Sequence, residues 1–91
     1  MDAIRWGEEK DHWLRSTRGI SFAQIAEQIL AGEFLDVIVH PSRVLQGIYV
    51  LRIEGYTWAV PFVRDEDIIF LKTAFPSRKL HRRYGGSNAQ D

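Results

Sequence analysis

The chain contains no cysteine. Disulfides and thiolate chemistry are thereby excluded, and the composition fits a reducing cytoplasm. Net charge is also absent, with 12 Lys and Arg against 12 Asp and Glu. Any electrostatic argument must therefore be local. No apolar run approaches the roughly 18 residues that a membrane span needs. The opening Met-Asp-Ala-Ile-Arg-Trp-Gly-Glu-Glu is too acidic and polar for a secretory signal. A cytoplasmic protein with no membrane partner is the expectation. No repeat, glycine-rich phosphate loop, nucleotide fingerprint or nucleophile elbow is present. His12, His40 and His81 fall at no metal-ligand spacing. Neither a metal nor a cofactor is expected.

What is present suits one small α+β domain over residues 1–84, followed by a flexible tail over 85–91. A hydrophobic fraction of 45% is enough for a core. Gly7 to Thr17 reads as a helix, with Glu8, Glu9 and Asp11 at the end where the dipole favours negative charge. Trp6, Lys10, Trp13 and Leu14 fall near one face, and Arg18-Gly19 ends it. Ser21-Phe22-Ala23-Gln24 is a capping box, with Ile20 and Ile25 as a staple. Phe22, Ile25, Ala26, Ile29 and Leu30 repeat at core-facing helical spacing, and Gly32 stops the helix.

The period then changes. Strands are expected over Phe34–His40, Ile48–Ile53, Tyr56–Val63 and Ile68–Phe75, with Glu54-Gly55 as a turn. Short connections imply a four-stranded antiparallel meander. Pro61 lacks an N–H and belongs near a strand end or a bulge. Pro76-Ser77 opens a last helix from Ser77 to Tyr84, with Leu80 and Tyr84 packed inward.

The most informative stretch is Phe70 to Tyr84. It holds Lys72, Arg78, Lys79, Arg82 and Arg83, and no carboxylate. Residues 1–45 carry five basic and seven acidic side chains, and residues 46–91 carry seven and five, so this concentration is local. A solvated basic face is the plain reading. Against it, no acidic neighbour neutralises the helix, and arginine's fork suits bidentate phosphate contact. Lys72 sits in an apolar strand on the face of Phe70 and Ala74, where burial would favour its neutral form. Two further features have a functional and a plain reading. Asp36 and His40 lie four apart on a strand and face one way; they are either an acid–base pair or a polar strand end beside Pro41. Trp6, Trp13 and Trp58 are either core residues or base-stacking platforms.

Trp6-x-x-x-Lys10, then Arg18-Gly19-Ile20-Ser21-Phe22, then the meander, then Ser77-Arg78-Lys79 to Arg82-Arg83-Tyr84 resemble the BrnT family of bacterial toxins. The resemblance covers roughly residues 4–84. It departs from the common pattern at Gly7, at Arg18 and in a shorter last helix. It implies a RelE-like fold and a ribonuclease of a type II toxin–antitoxin system that slows translation by cleaving RNA, such as mRNA. The implied partner is an antitoxin with a ribbon-helix-helix DNA-binding domain, through which the pair would reach operator DNA.

Metal-independent RNA cleavage uses the 2′-hydroxyl as nucleophile. Its proton must leave, the charged phosphorus must be stabilised, and the departing 5′ oxygen must be protonated. Arginine can do only the second, which assigns Arg78, Arg82 and Arg83 to charge, with Lys79 and Lys72 completing an RNA-binding set. The proton steps fall to Lys72, His81 or Tyr84, with His40 as a weaker candidate. RelE-like toxins are similar in relying on cations and a late tyrosine. Tyr84 is either that tyrosine or a residue packed on Leu80. The competing function is a non-catalytic module that docks nucleic acid or an acidic protein segment on the basic helix.

Overall fold

The computed structural model describes residues 3–43 and 45–85. Alternating apolar residues in the middle of the chain build one sheet, and two amphipathic helices cover one of its faces. In chain order the elements are β1 (Ala3–Trp6), α1 (Glu8–Arg18), α2 (Phe22–Leu30), β2 (Asp36–Val39), β3 (Gln46–Ile53), β4 (Tyr56–Asp65), β5 (Ile68–Leu71), β6 (Phe75–Pro76) and α3 (Arg78–Leu80). A π-helical turn, His81–Gly85, follows α3. The fold is α+β.

The sheet corrects the four-stranded meander. Among the described residues it has six strands and is mixed, in the order β1-β5-β4-β3-β2 with β6 also on β4. The antiparallel run β2 to β5 follows the expected meander. β1 adds a parallel edge, with Ile4 opposite Ile69. Only four residues long and paired with a strand some 65 residues away, β1 has no local signal to mark it. Glu54 and Gly55 both take positive φ, 50° and 81°, as a two-residue hairpin turn requires.

The expected fourth strand is split. β5 pairs with β4 through Phe62–Leu71, and β6 through Ala59–Phe75, so the register slips by one residue between them. This slip accommodates Pro61. The Lys72 N–H donates to the Pro61 carbonyl at 2.8 Å, so the backbone polar groups of residue 61 point toward the β5–β6 junction. The missing proline N–H thus falls where the ladder is already interrupted. The expected bulge lies on the partner side, in the interior of β4. The slip also places Ala74 in the core cluster while Lys72 remains exposed. The two do not share a face, and Lys72 is not embedded among apolar side chains.

The helix-facing side of the sheet is the core. Tyr49, Leu51 and Ile53 of β3, Trp58, Val60 and Phe62 of β4, and Ile69 and Leu71 of β5 meet Leu14, Phe22, Ile25 and Ile29. Trp58 is therefore core, and Trp6 stacks on Phe22 with centroids 6.0 Å apart. Trp13 is 40% exposed, with Lys10 Nζ 4.5 Å and Arg18 Cζ 5.2 Å from its ring. It does not join the inward face of α1. Gly47 lies under the Phe62 ring. A Cβ there would stand 2.7 Å from both the Ile38 carbonyl oxygen and Phe62 Cζ, so no larger residue fits.

The two helices are joined by a contact that spacing did not reveal. Ser21 Oγ accepts from Gln24 N at 3.1 Å, as the capping box predicts. Asp11, though, is buried and accepts the Phe22 N–H through Oδ1 at 2.9 Å. Its other oxygen accepts from Arg15 Nε at 3.0 Å. One carboxylate thus satisfies a free N–H at the start of α2 and is itself neutralised.

Candidate functional site on the second sheet face

Side chains alternate along a strand, so the residues between those of the core point to the opposite face. On β4 these are Thr57, Ala59, Pro61 and Val63. Opposite them in β3 and β2 lie Val50 and Asp36, then Ile48 and Ile38. Half of this face is covered. Val50, Ala59 and Thr57 are almost fully buried although α1 and α2 pack on the other side. The chain from β6 onward covers them. Ser77 N donates to the Thr57 carbonyl at 2.9 Å, and the π-helical turn packs on β4.

Ser77 is the expected helix start, with its Oγ accepting from Leu80 N at 3.2 Å. Pro76 belongs instead to β6. The expected helix over Ser77–Tyr84 is one α turn followed by the π-helical turn. The tail expected over 85–91 lies outside the described residues except for Gly85, which closes that turn.

The five cations are alike in their exposure. Lys72, Arg78, Lys79, Arg82 and Arg83 are all exposed. The ion pair among the described residues is Arg15–Asp11, so none of the five forms one there, although the charge of Arg83 acts on Asp36. Arg83 also lies over the Tyr84 ring, 5.5 Å from its centroid.

Tyr84 and His81 separate in role. The His81 ring stacks on Tyr56 with centroids 4.1 Å apart and planes 15° apart. Its Nδ1 accepts from the Thr57 N–H at 3.3 Å and lies 2.9 Å from Thr57 Oγ1. This arrangement clips the C-terminal segment to β4. Tyr84 reaches further and donates its hydroxyl to Asp36 Oδ2 at 2.7 Å, on the edge strand β2. Asp36 Oδ1 meanwhile accepts from Val37 N at 2.8 Å. The Tyr84 hydrogen bond, then the Val37 amide, hold the Asp36 carboxyl below its usual range. The Asp36 bond and then burial raise the Tyr84 phenol above its own. Both effects favour one state, a carboxylate accepting from a neutral phenol.

The sign of the pH effect follows from these directions. Asp36 contributes stability that is present above its ordinary value of 3.8 and is lost as pH falls through its lowered folded value. Tyr84 contributes stability that is present below 10.0 and is lost as pH rises through its raised folded value. The stability deficit of Tyr84→Phe against wild type is expected to be constant across the plateau between and to shrink at both ends. Chemical denaturation at a series of pH values measures it. A deficit that grew toward acid or alkali would contradict the bond.

Asp36 and His40 are not a dyad. They face one way, but four residues of extended chain separate them by about 13 Å. His40 Nδ1 accepts instead from the amides of Ser42 and Arg43, both at 3.1 Å, and pins the loop after β2. Beyond the covered half, the face opens into a cleft of about 430 Å³. It is floored by Ile38, Ile48, Pro61 and Val63, with His40 and Gln46 at one side and Lys72 at the other. Lys72 lies three strand spacings, about 14 Å of backbone, from β2. Lys72 lines the cleft, whereas Asp36 and Tyr84 lie outside its lining.

The structure thus brings Tyr84 and Arg83 to Asp36, leaves Lys72 at the rim of the cleft, and exposes Arg78, Lys79 and Arg82 along the same C-terminal segment. It sets His81 into the fold. Asp36 was visible as a same-face neighbour of His40, but nothing local joined it to a tyrosine 48 residues on. Comparison of the chain with protein-family models, with curated proteins and with solved structures finds no match. No helix among the described residues is long and apolar enough to cross a membrane.

Proposed function

We propose that this chain is a metal-independent endoribonuclease of RelE-like design, the toxin of a type II toxin–antitoxin pair. The observation that carries this reading is the run of exposed cations, without ion-pair partners among the described residues, beside a tyrosine hydroxyl held by a carboxylate. Arg78, Arg82 and Arg83 stabilise the charge that develops on phosphorus, and Lys79 and Lys72 hold neighbouring phosphates. Tyr84 donates a hydrogen bond to Asp36, so its oxygen lone pairs are left to accept from a 2′-hydroxyl. As that oxygen attacks phosphorus, its proton passes to Tyr84 and Tyr84's own to Asp36. The bond to the 5′ oxygen breaks, and that oxygen takes its proton from solvent water. His81 serves as an anchor. An antitoxin with a ribbon-helix-helix domain would neutralise the toxin and carry the pair to operator DNA.

The test is RNA cleavage in vitro, together with growth arrest on expression without an antitoxin. Arg82→Ala and Arg83→Ala are each expected to cost about a hundredfold in rate, as loss of one preorganised charge contact does. RNA affinity should fall with salt at a log–log slope of about −3.5 for five contacts to a single strand. RNA binding with this slope but no cleavage would leave a non-catalytic module. A flat salt response together with unchanged rates in both variants would remove the basic segment from the site.

A further inference from the structure

The apolar cleft beside the cations is not used by any step above. We propose that it is a nucleobase subsite, which seats one unpaired base of a single-stranded nucleic acid and reads its edge through His40 and Gln46. This rests on the reading of the neighbouring cations as phosphate ligands. It adds a second kind of contact to theirs.

The floor is the first argument. Ile38, Ile48 and Pro61 sit side by side on three adjacent strands, and Val63 follows on the same face of β4. All four are half-buried, so they present apolar surface to a ligand. Neighbouring strands lie about 4.8 Å apart, so the row spans about 10 Å, room for one base. Phe70 pairs with Val63 on this face and is 40% exposed, which extends the platform with an aromatic surface. A base suits it because its faces are apolar and its donors and acceptors lie on its edge.

The rim is the second argument. His40 Nδ1 accepts two backbone amides, so it carries no hydrogen. The neutral ring then has its proton on Nε2, a donor held in one orientation by the loop. Gln46 is exposed beside it, and its carbonyl accepts the His40 N–H at 3.0 Å. Its side-chain amide offers both a donor and an acceptor. Among the described residues no carboxylate lines the cleft, and Lys72 stands at the opposite rim. An apolar floor, an edge-reading rim and a cation opposite that rim match the alternation of base and phosphate. An acidic peptide would use the cations alone.

The test is a methyl NMR titration of the intact chain with each of the four nucleoside 5′-monophosphates, and with ribose 5-phosphate and inorganic phosphate. At least one nucleotide is expected to shift the methyls of Ile38, Ile48 and Val63. It should bind roughly five- to tenfold tighter than ribose 5-phosphate, the low end of what one stacked base contributes. His40→Asn keeps an acceptor for the loop amides and removes the Nε2 donor. It should erase that advantage and leave ribose 5-phosphate binding unchanged. Equal binding of nucleotides and ribose 5-phosphate, with still cleft methyls, would overturn the subsite and leave the phosphate reading standing. Cleft shifts with nucleotides, but no binding of ribose 5-phosphate or inorganic phosphate, would keep the subsite and remove the phosphate reading. Cleft shifts that follow protein concentration alone would make the platform a contact between copies and overturn the proposal.

Discussion

Tyr84→Phe is expected to lower the rate of RNA cleavage by about 10²–10⁴, the range for one placed proton-transfer group, with little change in RNA affinity. Phenylalanine keeps the ring beneath Arg83 and removes only the hydroxyl that meets Asp36 at 2.7 Å. Asp36→Asn is the sharper companion. An amide can donate to the Tyr84 oxygen, which reverses the bond and occupies the lone pairs that the proposed mechanism gives to the 2′-hydroxyl. Its rate should fall as far as that of Tyr84→Phe, and the double variant should be no worse than either, because the two act as a unit. Single-turnover cleavage at saturating RNA, with binding measured separately, distinguishes this from lost affinity. A Tyr84→Phe protein that cleaves at the wild-type rate would return Tyr84 to a packing role.

Phe22→Ala is expected to cost about 3–5 kcal/mol of folding stability. Phe22 is fully buried, opens α2, and stacks on Trp6. Its truncation leaves a cavity between the helix layer and the sheet, and a domain this small has few alternative contacts with which to close it. Natural domains hold only about 5–15 kcal/mol in total, so the variant should be partly unfolded at modest temperature. Urea denaturation followed by tryptophan fluorescence measures the loss. A cost below about 1 kcal/mol would mean that this region of the core collapses around the gap.

Local signals read well here because their causes are local. The start of α2 was legible from Ser21 and Gln24, since a cap is a contact three residues long. The β3–β4 hairpin was legible from Glu54-Gly55, where positive φ is needed at both positions. The split of the last strand was not, since it depends on which partner lies opposite Pro61. Asp11 shows the same limit. Its place in the first turn of a helix suggested a dipole contact, whereas packing gave it the Phe22 amide.

For the site, the sequence by itself determined its chemistry. It brought five cations and no carboxylate into Phe70–Tyr84, and composition along a chain is unaffected by folding. Tertiary structure decided which of those groups work together. It slipped the strand at Lys72, bound His81 to Thr57, and carried Tyr84 to Asp36. It also opened an apolar cleft beside them. Such partners are chosen by strand pairing and face alternation over tens of residues, and no pattern within a single helix or strand records them.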